Sequence, residues 1–301
     1  MQTRWNDGRF TQNLDAMVWT ASPVIRRYLH RLVSGSPECD WLTWVRAKHL
    51  PQTVDRLLVL GCGAGWLERA LARKDGTGAI IACDFARDRV LAAEETARRE
   101  GLTRIRYLVC NLEEEPLPEG PFDAVIANDV LHHITDLEGL FGRIHAALAP
   151  EGKLVFNEYV GPNRFQYGPA RMALINRYFR LIPDHLRYQP FSGGLFWSRR
   201  RTDPARLAAD DPTEAVRSED VLPLARRFFE VEKEYSYGGG LLNPLLYEVI
   251  GNFDEKRPYD NRLLTALCEA EERLTKSGAL DPDFVVFVGR RREAGAEITS
   301  R

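Results

Sequence analysis

Leu57-Leu58-Val59-Leu60-Gly61-Cys62-Gly63-Ala64-Gly65-Trp66 is the stretch on which the fold turns. The apolar run from Arg56 to Leu60 reads as a short buried strand, and the helical spacing from Leu67 to Arg73 follows it. Between them the glycines permit backbone conformations that other residues resist and let a ligand approach the chain closely. A strand, a glycine loop and a helix start in succession open an α/β unit, and the glycine loop by itself does not specify the ligand.

Working outward, Ala79–Cys83 is the next strand candidate, and Asp88–Glu100 is a helix with Val90, Leu91 and Ala97 on one face, closing at Gly101. Ile105–Val109 and Phe122–Ala127 continue the strands. Leu137–Leu148 is a helix ended by Pro150, and Lys153–Phe156 a strand opened by the Glu151-Gly152 turn. Buried apolar runs joined by helical crossovers indicate a doubly wound, mostly parallel sheet. Residues 51–160 are therefore the core. Residues 1–50 read as an N-terminal helical cap, with two helices over residues 10–47, a start at Ser22-Pro23 and an aromatic set of Trp19, Trp41 and Trp44. Residues 161–217, irregular and rich in Arg, Tyr, Phe and Pro, are a binding insertion or lid. Residues 218–301 return to the core: Ser218 N-caps a helix with Glu219 and Asp220 in its first turn, and Phe229–Tyr237 and Phe284–Gly289 are strands around a helical insertion at about 243–277.

The 301 residues are 44% hydrophobic and 28% charged, enough for a sizeable core without disulfides. A net charge of −2 gives no global field toward nucleic acid. The apolar runs are too short to span a bilayer, and Arg4, Asp7 and Arg9 interrupt the N-terminus, so the default location is cytoplasmic. Cys39, Cys62, Cys83, Cys110 and Cys268 show no metal-binding or redox spacing. His132 and His133 adjoin, and sequence neighbours do not share one helix face, so no metal is expected.

Asp84 ends the second strand, where a carboxylate can accept from a ribose hydroxyl pair. A dinucleotide fingerprint wants glycine where this chain has Trp66, so the ligand expected is a nucleoside without a pyrophosphate and NAD is disfavoured. Gly61-Cys62-Gly63-Ala64-Gly65, Asp84, Asn111-Leu112, the run Phe122–His133 and Leu148-Ala149-Pro150-Glu151-Gly152-Lys153-Leu154 together resemble the successive motifs of class I S-adenosylmethionine-dependent methyltransferases. Glu158–Gln166 and Asp211–Ser218 resemble a bacterial-type subgroup with lid insertions.

The resemblance implies a seven-stranded sheet ending in an antiparallel pair, with S-adenosylmethionine as donor and S-adenosylhomocysteine as product. It implies that Gly61, Cys62, Gly63 and Gly65 face the methionine part, that Asp84 with Phe85 holds the ribose, that Asn111 and Leu112 face adenine, and that Asn128 lies near the methionine end or the acceptor. Two positions depart from the pattern: Val59 stands where an acid is common, and Asn111 where Asp is commoner.

Methyl transfer asks for alignment, desolvation and, at an oxygen acceptor, removal of a proton. His133 and Glu158, at the carboxyl edge of strands four and five, are the candidate catalytic groups. The alternatives are helix-start packing for His133 and a hydrogen bond to the lid backbone or Arg164 for Glu158. His132, Tyr159, Arg164, Gln166, Tyr167, Arg217 and Tyr237 are candidate acceptor contacts, each with a structural alternative. Trp197-Ser198-Arg199-Arg200-Arg201 reads as an anion contact or a solvated cluster, and Trp19 and Trp66 as donor shields or core. The function expected is methylation of a small-molecule or glycan-type acceptor, most often at oxygen. N- or C-methylation and a non-catalytic adenosyl-binding module are the alternatives. Monomer and homodimer both stay open.

Overall fold

The computed structural model describes residues 17–189 and 193–292. The first part of the expected helical cap, residues 1–16, falls outside them. Seven strands form one sheet: β1 (Val54–Leu60), β2 (Thr77–Asp84), β3 (Ile105–Val109), β4 (Phe122–Asn128), β5 (Leu148–Tyr159), β6 (Phe229–Tyr237) and β7 (Phe284–Arg291), in the order β3-β2-β1-β4-β5-β7-β6. β1 to β5 are parallel, and β7 runs antiparallel to both β5 and β6. The strand order reverses between β1 and β4, which opens a crevice at the carboxyl edge of the sheet there.

The helices of the described residues are α1 (Pro23–Ser34), α2 (Trp41–Lys48), α3 (Trp66–Ala72), α4 (Arg87–Arg99), α5 (Leu137–Ala147), α6 (Pro169–Phe179), α7 (Pro204–Asp210), α8 (Ser218–Phe228), α9 (Leu242–Leu246) and α10 (Pro258–Lys276). None of them is long and apolar enough to cross a membrane. Strand side chains alternate between two buried layers. Leu57, Val59, Ile80, Ala82, Ala124 and Ile126 pack with α1 to α4, α6, α9 and α10, whereas Leu58, Leu60, Cys83, Val125, Ala127 and Phe156 pack with α5 and α8. Both faces are apolar because both are covered, which is why these strands read as continuous apolar runs.

Local signals explain most boundaries. Ser22 Oγ accepts from Ile25 N at 3.2 Å, Pro23 opens α1, and Gly35 at φ +83° closes it. Asp40 caps α2 through Thr43 N at 2.8 Å, and Gly101 at φ +70° follows α4. Two expectations need correction. β5 begins at Leu148, not at Lys153: Leu148 pairs with Phe122, the register then slips, and Lys153 pairs with Ala124. Pro150, which lacks an N–H to donate, lies in the part of the strand that slips out of register. Ser218 does not cap α8. Its buried hydroxyl donates to Gly161 O at 2.8 Å, and Asn163 Oδ1 accepts the helix's Glu219 N–H at 3.0 Å.

The cap and the C-terminal insertion meet at one buried carboxylate. Glu271 of α10, with no exposed surface, accepts from Gly239 N (3.1 Å), Leu241 N (2.8 Å), Leu242 N (2.8 Å) and Tyr28 Oη (3.4 Å). It joins α1, α10 and the turn that leaves β6. Removing it strands three amides, each costing about 1–3 kcal/mol when left unpaired. Glu271→Ala is therefore expected to lower the unfolding free energy in urea by about 3 kcal/mol or more, and Glu271→Gln, which keeps one acceptor oxygen, by less; an Ala variant as stable as wild type would contradict this role.

Candidate active site

The glycine loop after β1 is held in left-handed backbone: Gly61, Gly63 and Gly65 have φ of +64°, +51° and +80°. A Cβ would lie 2.6 Å from Val130 Cγ2 at Gly61, 3.0 Å from Arg89 Nη2 at Gly63, and 2.6 Å from Glu68 Oε1 at Gly65. Gly65 also sits 2.8 Å, by the same measure, from Ala93 Cβ. Gly65 is thus where α4 approaches the loop most closely, and the Trp66 indole is not buried there: it is 49% exposed at the first position of α3. Trp66 is no core residue. Trp19 is, packed against Phe284 with ring centroids 5.5 Å apart.

Asp84 ties the loop to the end of β2. Its Oδ2 accepts from Gly63 N and its Oδ1 from Ala86 N, both at 2.9 Å, while Cys62 N donates to Cys83 O at 3.0 Å. A carboxylate offers about four acceptor sites, so this one retains capacity for a diol. Phe85 beside it is half-buried. After β3, Asn111 Oδ1 accepts from Glu113 N at 3.1 Å, and buried Leu112 gives its carbonyl to the Arg143 guanidinium. Val59, where an acid was looked for, is core. Glu68, fully buried beneath Gly65, is the nearest carboxylate by that helix start, and burial raises its pKa.

The end of β4 carries a residue that sequence reading passed over. Asp129 has φ +50°, with its N–H donated to Asn157 O at 3.0 Å. Asn128 Nδ2 donates to Asp129 Oδ2 at 3.0 Å, and Asn128 Oδ1 accepts from Asn157 Nδ2 at 2.9 Å. Tyr237 from β6 donates its hydroxyl to Asn157 Oδ1. The Asp129 side chain reaches solvent yet is hemmed in by protein, the situation of a group within a cleft. That burial, followed by the charge of Glu158, raises its pKa to about 7. Val130, the next residue, is the one that crowds Gly61. Asp129 therefore stands across the strand-order reversal from the glycine loop.

Glu158 is placed differently from the acceptor-facing base expected. It has no exposed surface and accepts four bonds: from Val130 N (2.9 Å), Leu131 N (2.6 Å), Tyr159 N (2.8 Å) and His132 Nδ1 (2.5 Å). The alternative of a bond to the lid backbone or Arg164 is not realised either: Glu158 holds the turn after β4 and its own neighbour Tyr159. Burial alone would lower the pKa of His132, but Glu158, with Glu214 and Asp129, outweighs it and raises the value to about 9.

His133 lies half-buried, its Nδ1 3.2 Å from Thr213 Oγ1. The two imidazoles sit side by side, centroids 4.2 Å apart, with His132 Nε2 3.6 Å and His133 Nε2 3.9 Å from the Glu214 carboxylate. Both rings approach one carboxylate although they are neighbours in sequence. Leu131–His133 is a single 3₁₀ turn followed by extended Ile134, so His133 is not committed to a helix face.

Most of the expected acceptor contacts have other duties. Arg164, at φ +54°, donates to the carbonyls of Asp211 (3.4 Å), Pro212 (2.5 Å) and Glu214 (2.9 Å). Gln166 Nε2 donates to Arg164 O and Thr202 O. Arg217 grips Glu138, Asp220 and Thr135 O at the outer side of α5 and α8. Tyr159 and Tyr167 are buried, with Tyr159 Oη donating to Pro162 O at 3.1 Å. Of the set, His132 and Tyr237 alone belong to the Asp129 cluster. Trp197 is 73% exposed, while Arg199 folds back onto Phe196 and Phe179 and donates to Pro244 O at 2.9 Å. A groove of about 990 Å³ opens elsewhere, against α1 and α10 around Tyr28, Glu255 and Cys268, away from the glycine loop.

The glycine cradle fits an adenosyl donor. Its backbone is held in left-handed conformations where a Cβ would strike Val130, Arg89 or Glu68, so glycine alone fits, and Asp84 lies one strand away with acceptor capacity to spare. Known proteins point the same way. The family model described as a methyltransferase domain matches residues 58–156. The demethylmenaquinone methyltransferase of Thermus thermophilus is 30% identical over 177 residues, 58% of this chain and 75% of that one. The ubiquinone biosynthesis O-methyltransferase of Methylocella silvestris is 34% identical over 137 residues, 45% of this chain and 51% of its own length. Among solved structures, the fold is shared with the [4+2]-cyclase SpnF (TM-score 0.51, 17% identity, 90% of this chain and 94% of that one). It is shared also with a Haemonchus contortus phosphoethanolamine N-methyltransferase 2 in complex with S-adenosyl-L-methionine (TM-score 0.52, 16% identity, 91% and 58%). With motif, sheet order and a 30% identical relative covered to 75% of its length in agreement, the chain belongs to the class I S-adenosylmethionine-dependent methyltransferases.

Proposed function

We propose that this methyltransferase acts on an oxygen of a small-molecule or glycan-type acceptor and that Asp129 receives the acceptor's proton. One observation carries the reading: an accessible carboxyl, oriented by Asn128 and next in sequence to the Val130 that packs on Gly61, stands opposite the glycine loop. A base works best when its pKa lies close to the operating pH, and perturbed carboxyls in clefts concentrate at functional sites. The name of the Methylocella silvestris relative includes O-methyltransferase, which supports oxygen as the acceptor atom.

S-adenosylmethionine, when bound, supplies a methyl group activated by its sulfonium. The chain's own residues do the rest. Gly61, Cys62, Gly63 and Gly65 offer backbone to the amino-acid end, and Asp84 with Phe85 holds the ribose. Asn111 and Leu112 face the adenine. Arg89, which reaches to the Gly63 position, is a cation suited to a carboxylate there. Asn128 orients Asp129 through a 3.0 Å hydrogen bond, and Tyr237 steadies Asn157 beneath it. Glu158 acts through position: it fixes the turn that sets the backbone of Asp129 and Val130. His133 takes part through the Thr213 and Glu214 segment that lies over this edge.

Asp84→Ala is expected to weaken S-adenosylhomocysteine binding in calorimetric titration by at least about tenfold, about 1.4 kcal/mol, with the far-ultraviolet circular dichroism unchanged. Unchanged affinity would remove the ribose assignment. For Asp129, turnover is read with labelled methyl donor against a panel of phenols and monosaccharides. A carboxyl with pKa about 7 is protonated, and idle as a base, below that pH, so kcat/KM should rise through pH 7 and then level off. Asp129→Asn should lower kcat/KM by about 10²–10⁴ and abolish that limb while S-adenosylhomocysteine affinity stays within about threefold. A variant with near-normal turnover and the same pH profile would move the base elsewhere.

A further inference from the structure

We propose that His132, His133 and Glu214 form a binding site for a divalent transition-metal ion of the zinc type. Both rings are oriented as metal ligands are: each Nδ1 meets an oxygen partner behind it and each Nε2 turns toward the same carboxylate. His132 Nδ1 meets Glu158 Oε1 at 2.5 Å, and His133 Nδ1 meets Thr213 Oγ1 at 3.2 Å. Thr213 Oγ1 is itself fixed, donating to buried Asp211 Oδ1 at 2.8 Å. An oxygen partner behind each imidazole, holding ring and tautomer, is the support that metal-bound histidines receive in nearly all known sites.

The ligand atoms of the three side chains all lie within 4.8 Å of one another, with Nε2 to carboxylate distances of 3.6 and 3.9 Å. Ligands about 2.1 Å from a tetrahedral ion stand about 3.4 Å apart, so closure needs contraction on the order of 1 Å. Two imidazoles and one carboxylate suit zinc, cobalt or ferrous iron better than calcium or magnesium, which prefer all-oxygen sets. Glu158 and Asp129 add negative charge around the histidines, which favours a dication. Three protein ligands also leave a coordination position open.

The arrangement joins two parts of the chain. Glu214 comes from residues 211–217 at the end of the insertion, and the histidines come from the turn after β4. Val216 N already donates to His132 O at 3.1 Å and Arg164 N to Ala215 O at 2.7 Å. Buried Ala215 is kept at φ +48°, a left-handed conformation costly for a residue with a side chain, beside the Glu214 ligand. An ion here staples the insertion to the sheet edge. The inference stands apart from the acceptor reading, since it requires neither methyl transfer nor donor.

The test is titration of the chelator-treated full chain with Co²⁺, followed by visible d–d absorption, with Zn²⁺ as competitor. One Co²⁺ per chain, displaced by Zn²⁺, is expected. His133→Gln and Glu214→Gln should each weaken Co²⁺ binding at least about tenfold. Zn²⁺ should raise the urea midpoint of wild type but not of either variant, and the metal-free midpoints confirm that both fold. Absence of saturable binding would reduce the trio to an ion-paired hydrogen-bond cluster. Equal binding by the variants would place the ion elsewhere, and either result overturns the site.

Discussion

The site depends on one buried negative charge. Glu158 sits at the end of β5 with no access to water, and its four hydrogen bonds replace the hydration it gives up. Two of those bonds come from successive amides of the turn after β4, and that turn fixes the backbone of Asp129, crowds Gly61 through Val130 and presents His132 to the insertion. The sheet edge, the glycine loop and residues 211–217 are thereby tied to a single carboxylate. A group so placed is poorly suited to collecting an acceptor proton, because each of its oxygens already receives two hydrogen bonds.

Asp129 shows the complementary condition. Its carboxyl is close enough to Glu158 for the two charges to resist coexisting, and protein encloses it without sealing it from solvent. Two carboxyls with different surroundings can take different roles, Glu158 saturated by four hydrogen bonds and structural, Asp129 near its midpoint at neutral pH. The sheet topology makes the pairing possible. Reversal of strand order between β1 and β4 leaves their carboxyl ends without a crossover above them, so loop 61–65 and turn 129–133 face a common space.

The core was legible because a covered parallel sheet demands apolar strands, and those strands end where glycine and proline interrupt them. Strand β1, Gly101 after α4 and the Ser22 cap followed from local chemistry alone. The start of β5 did not, since pairing of Leu148 with Phe122 is a long-range contact that runs past Pro150. Candidate acceptor residues were the least legible. Arg164 and Gln166 looked like recognition groups by type, yet they serve carbonyls of the insertion, and nothing in a sequence says which backbone a guanidinium will meet. Asp129 escaped notice because its left-handed backbone and its long-range neighbours Asn157, Glu158 and Glu214 are set by the fold and not by adjacent sequence. His132 and His133 were judged by helix geometry, and a one-turn 3₁₀ segment does not obey it.

The most direct measurement is hydrogen–deuterium exchange of the wild-type chain with and without S-adenosylhomocysteine. Binding at the β1/β4 reversal requires slower exchange in peptides covering residues 61–66, 84–86, 110–113 and 128–133, with the α1 and α10 groove unchanged. Protection of the groove around Tyr28, Glu255 and Cys268 instead, with the glycine loop unaffected, would contradict the placement of the site.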